Sequence, residues 1–243
     1  IYIEVVTPIA SDPRALALVV LAYTVATLAG AVVFGPDRYF GTVDPVSRVF
    51  RYYGRVAPLT REDGRITVRL PGTALSETRL VDGRDEVAFV VALLWGTTFD
   101  GFVATGGWRA LVGPVVDVGV PPLVAYMGGL AGGYALFVGV YWAAADYSRR
   151  TADTYLAAAT LSRRFAPPLL AIAAGYHLAH YLGYFLQLSP ALVATAAAPL
   201  TLQQTVPVGV TPGWFGAVPL ASVLLGHMLA IWAAHATAFD LFA

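Results

Sequence analysis

The sequence predicts an all-α, polytopic integral membrane helix bundle with about five transmembrane helices, and three observations predict it. Apolar residues fill 58% of the 243 positions and charged residues only 12%, about half the charged share of an ordinary soluble domain. The apolar residues fall into five stretches close to the roughly 20 residues that an α-helix needs to cross a bilayer. The basic residues, all of them Arg, are concentrated in two of the connecting loops. This composition excludes a disordered chain, and it leaves too little polar surface to solvate a core of this size.

The first span, 14–35, ends at the Gly35-Pro36 breaker. The second, 87–105, follows the charged run at 82–86, and the third, 123–145, follows Pro121-Pro122 and stops before Asp146. The fourth covers 165–187 and the fifth 214–238. Backbone groups in lipid must be satisfied within the segment, so these stretches are read as helices, and no ten-residue alternation suggests a barrel. The whole of 1–243 reads as one transmembrane domain. The chain begins on Ile1 and ends at Ala243 directly after an apolar stretch, so a fragment of a longer protein is expected, with no signal peptide visible.

Nine Arg lie between Arg38 and Arg84, and Arg149, Arg150, Arg163 and Arg164 join the third and fourth spans. The opposite loops hold only Arg109. By the positive-inside rule the Arg-rich loops are cytoplasmic and the N-terminus is external, in a multi-pass protein of the cell (plasma) membrane. The 36–86 segment is then a cytoplasmic loop, solvated and touching anionic headgroups. Within it RITVRL (65–70), set between DG and PG, reads as a short strand or hairpin. The uncharged 188–213 segment lies on the outer interface or folds back as a lid. Gly128, Gly129, Gly132 and Gly133 form a doubled small-xxx-small pattern that lets another backbone approach the third helix.

The formal net charge is zero, and with the Arg confined to loops this gives no support for nucleic-acid binding; the lipid bilayer is the expected partner. Zero Cys excludes disulfides, thiolate metal sites and a Cys nucleophile. Ionisable groups inside spans cost several kcal/mol and mark function by default. Here they are Asp100 in the second helix, His177 and His180 in the fourth, and His227 and His235 in the fifth. At 1.5 Å per residue, Asp100 lies about 20 Å above the cytoplasmic edge, His177 about 18 Å, His180 about 22 Å and His227 about 16 Å. His235 falls about 12 Å from His227 along the axis and is turned away from it.

One layer therefore holds a carboxylate and three imidazoles from three helices, a suitable ligand set (Asp100, His177, His180, His227) for Zn²⁺ or another first-row divalent metal ion. Such an ion would draw the pKa of a bound water towards about 7, with Asp100 or His180 as ligand or proton acceptor, so a membrane metallohydrolase with these as catalytic residues is one reading. Tyr176, Tyr181 and Tyr184 flank the pair as outer donors. Without the ion, Asp100 would bond to Thr97, Thr98 or a histidine. A proton- or metal-ion transporter or permease, a redox subunit with haem between His180 and His227, and a structural subunit are the alternatives.

TTFDGF (97–102), RRF (163–165), AHY (179–181), GHMLAIWAAH (226–235) and the loop RVAPLTREDGRITVR (55–69) together resemble a family of uncharacterised polytopic membrane proteins of actinobacteria and haloarchaea. Some members are labelled fenitrothion hydrolase. The resemblance runs over nearly the whole chain and implies further spans before and after it. It implies an organophosphate hydrolase activity and highlights Asp100, His180, His227 and His235. His177 falls where the group often has an apolar residue.

Overall fold

A computed structural model describes residues 7–62, 64–77, 80–152, 154–201, 205 and 207–242. Among the described residues, eight principal helices and one hairpin follow the chain: α1 Pro13–Phe34, α2 Pro45–Tyr53, β1 Leu59–Glu62, β2 Arg65–Val68, α3 Arg84–Val103, α4 Gly106–Asp117, α5 Pro122–Thr151, α6 Ala158–Phe165, α7 Pro167–Ala197 and α8 Ala217–Phe242. The fold is an all-α bundle, and five of its helical segments are long and apolar enough to cross a membrane. That is the architecture of a multi-pass integral membrane protein.

Local chemistry sets the helix ends. The Asp12 carboxylate accepts from the backbone N–H groups of Arg14 and Ala15 at the start of α1, with Pro13 as the first helical residue. Gly35 takes φ +81° to end that helix. Asp44 repeats the device at α2, accepting from Ser47 N at 2.7 Å ahead of Pro45. Acidic Asp85 and Glu86 open α3, and Arg149 and Arg150 close α5, each matched to the helix dipole.

Four of the five spanning helices pack in the order α5, α3, α7, α8, each against the next. The α7–α8 contact is the tightest: a Cβ on Gly175 would meet Ser222 O at 2.6 Å, and one on Gly226 would meet Ala171 O at 2.6 Å. Small residues let these two backbones touch. The pattern singled out in the sequence works differently. Gly129 faces the rings of Trp108 and Phe99, Gly133 faces Trp95, and Gly128 and Gly132 have nothing within 4 Å of a built Cβ. The reason is the bulk of the indoles that α3 and α4 offer to α5, which occupy the space a second backbone would need. Trp95 also donates its Nε1–H to Leu130 O at 2.8 Å.

The loops differ from expectation in three places. The segment 36–86 is partly buried: Asp44, Tyr52, Ala74, Leu75 and Val81 are buried, and Tyr52, Leu75 and Val81 share a core with Val87, Val90, Leu170, Ala171, Ala230 and Ala233. Those side chains fill the open end of the α3–α7–α8 arrangement, while Phe50, Leu59, Ile66, Val68 and Leu70 of the same segment stay exposed. The expected hairpin is present, β1 pairing antiparallel with β2 with Leu59 opposite Val68. Helix α4 occupies what reads in sequence as a loop, capped by Thr105. In the 188–213 segment α7 continues to Ala197 past Pro190. Proline supplies no N–H for Leu186 O, which accepts from Ser189 Oγ at 3.0 Å instead. Gly209 N then donates to Gln187 O at 2.7 Å, so the described part of the return lies against α7; residues 202–204 and 206 are outside the described residues.

Candidate functional site

Asp100 sits on α3 and His180 on the adjoining α7, three and a half turns into that helix. His180 Nε2 and Asp100 Oδ2 are 3.1 Å apart, and the Asp100 side chain is only 9% exposed. The pair borders a cavity of about 270 Å³ that Thr97, Tyr176, His177 and Tyr181 also line. Tyr181 and Tyr184 set their rings 4.7 and 5.5 Å from the His180 ring, fixing its plane. Thr97 and Thr98 are not the partners of Asp100: both hydroxyls donate to Leu94 O at 2.8 Å within their own helix. The carboxylate is thereby left to the imidazole.

His177 lines the same cavity as His180, as the three-residue spacing requires. Its Nδ1 lies 2.7 Å from the Tyr53 hydroxyl and 3.1 Å from Ala173 O. With Nδ1 bare, the Tyr53 O–H donates to it; with Nδ1 protonated, the ring donates to either oxygen. Tyr53 ends α2, and burial pushes its phenol above the ordinary tyrosine range. It is the site residue that the sequence reading missed. The available signal was Asp44-Pro45 opening an amphipathic stretch, PVSRVFRYY, whose aromatic end has to be covered.

Of the four expected ligands, Asp100, His177 and His180 line one cavity. His227 is on α8; its Nδ1–H donates to Val223 O of its own helix at 2.8 Å, and its ring packs against Tyr176, with centroids 6.0 Å apart. His227 does not line the cavity that Asp100, His177 and His180 share; Val223 represents α8 there. His235 is exposed and bonds in the same way to Ile231 O at 2.9 Å. Among the described residues no three His, Asp or Glu side chains form a group that could hold a metal ion.

What the arrangement offers is a titratable pair bridging two spanning helices, beside a second imidazole that contacts a phenol from outside the spans. Comparison with known proteins returned no match among family models, curated proteins or solved structures.

Proposed function

We propose that this integral membrane protein is a proton-handling transporter or permease, with Asp100 and His180 as its intramembrane proton-binding pair. One observation carries the reading: an imidazole and a carboxylate from two different spanning helices meet at 3.1 Å on the wall of a cavity. A shared proton between them neutralises both groups in a low-dielectric layer, and its loss changes the force between α3 and α7. Proton movement and helix movement are thereby linked. The second imidazole, His177, extends the polar wall towards the Arg-rich end, which this reading assigns to the cytoplasm.

The pair also supports a rival, hydrolysis at a metal centre, only if a third donor is recruited. The test uses the protein in proteoliposomes loaded with a pH-sensitive dye under an imposed potential. Wild type is expected to acidify or alkalise the lumen above protein-free vesicles. Asp100→Asn and His180→Gln, which keep size and hydrogen bonding but cannot exchange a proton, are expected to fall to that background. Equal flux in all three proteins would overturn the proposal. So would one zinc per chain in purified protein that disappears in Asp100→Ala, which would return the site to metal chemistry.

A further inference from the structure

The β1–β2 hairpin has two unlike faces. Its register sets Leu59 opposite Val68 and Arg61 opposite Ile66, with Thr60 opposite Thr67 between them. Side chains alternate along a strand, so Leu59, Arg61, Ile66 and Val68 share one face. Arg69 N still donates to Pro58 O at 2.8 Å, so Leu70 continues that face. On it Leu59, Ile66, Val68 and Leu70 are 60%, 77%, 79% and 76% exposed. On the other face Thr60, Thr67 and Arg69 are half-buried, and Thr67 Oγ1 and Arg69 Nε are closed off from solvent. The hairpin therefore rests its polar side on the protein and turns its aliphatic side outward, the reverse of a sheet solvated on one face.

The root of the hairpin lies where α3 passes from charged to apolar residues. Gly72 N donates to Val56 O at 3.0 Å and closes the root. Val56 packs on the core that holds Val87 and Val90, in the turn that follows Glu86. The ion pairs Arg48–Asp85 and Arg51–Glu86 stand at that edge. A Cβ on Gly72 would lie 3.7 Å from Leu229 of α8, and around Leu229 that spanning helix leaves Met228, Ile231 and Trp232 exposed. Charged groups give way to apolar ones in this manner at a membrane–water boundary. The aliphatic face thus begins beside a surface that lipid covers, while the turn at its far end, REDGR (61–65), is charged.

We propose that the hairpin is an interfacial membrane anchor, with Leu59, Ile66, Val68 and Leu70 inserted at the boundary between headgroups and acyl chains and the charged turn left at headgroup level. The occupant of the face is the bilayer in which the spanning helices already stand. A two-stranded hairpin alone in water is marginal; here one side is held by protein and the other is removed from water by lipid. Arg61 shares the inserted face but sits at the turn, where its long stem lets the guanidinium stay hydrated. The anchor uses no residue of the Asp100–His180 cavity, so its test is separate from that of the proton-handling reading.

The test is nitroxide scanning of the full chain in phosphatidylcholine liposomes. The chain has no Cys, so each single-cysteine variant carries one spin label. Collisions with oxygen, which concentrates in the bilayer, are compared with collisions with a neutral nickel chelate, which stays in water. Val68→Cys and Leu70→Cys are expected to favour oxygen over nickel several-fold more than Arg61→Cys at the turn, with Ile66→Cys between them. Thr67→Cys, on the inner face, is expected to meet neither reagent freely. Labels at Val68 and Leu70 that meet nickel as readily as the one at Arg61 would place the face in water and overturn the proposal. Low access to both reagents at those two positions would also overturn it, by placing a second copy of the chain on the face. Leu59→Cys, opposite Val68, repeats the reading from the other strand, so that one misfolded variant does not decide the outcome.

Discussion

Tyr53 is the residue whose role is most open to direct measurement. Replacing it with Phe keeps the ring, which meets the His177 ring edge-on at 5.1 Å, and deletes only the hydroxyl 2.7 Å from Nδ1. The loss is expected to cost about 1 kcal/mol and to move the His177 Nδ1 resonance in ¹⁵N NMR, while the Asp100–His180 contact persists; an unmoved resonance would show that the two side chains do not bond. Asp44 offers a second measurement. Burial acts to raise its carboxyl, but hydrogen bonds from Ser47 and from the Tyr23 hydroxyl outweigh it and hold the group below the usual carboxylate range. A depressed folded-state value means that this stabilisation is present above the unfolded-state value and is lost as pH falls through the folded one. Asp44→Ala is expected to cost about 1 kcal/mol at neutral pH and progressively less in acid, which a thermal melt at several pH values reads.

At the scale of elements, the glycines separate two kinds of packing. Gly226→Val drives a side chain into the backbone of α7, where Ala171 O lies 2.6 Å from the site of a Cβ; it is expected to abolish the folded species in detergent size-exclusion profiles. Gly132→Ala, with open space around it, is expected to be neutral or to stabilise by up to about 1 kcal/mol through helix propensity. If Gly132→Ala proved as damaging as Gly226→Val, the helix order given above would be wrong. Glycine spacing announced close packing without revealing what approaches: an indole and a peptide backbone both need the missing Cβ. The same limit governs the candidate site. Rise per residue placed Asp100, His180 and His227 in one layer, and hydropathy found the five long apolar helices among the described residues, but azimuth and neighbour order are tertiary facts. Val223 is the α8 residue that reaches the cavity, while His227 bonds within its own helix and packs against Tyr176.

For the whole molecule, the absence of Cys allows single cysteines to map sidedness cleanly. With Arg61→Cys on the hairpin and Val210→Cys in the return after α7, both exposed, an impermeant maleimide is expected to label the first only from the Arg-rich side and the second only from the other. Labelling of both from one side would remove a span from the count. Arg distribution supplies the expected sidedness that this labelling tests, whereas the partial burial of the 36–86 segment was hidden, because its charges read as solvated while Tyr52 and Leu75 among them fill the bundle's open end. That burial has a mechanical outcome. α2 is strapped to the start of α3 by Arg48–Asp85 and Arg51–Glu86, and its last side chain touches an imidazole within the bilayer. Thermodynamic reciprocity then applies: whatever alters that imidazole alters the grip on the strap, and a tug on the strap from the aqueous phase is felt at the imidazole. The segment before α3 thus acts as a lever whose far end rests on the His177 ring.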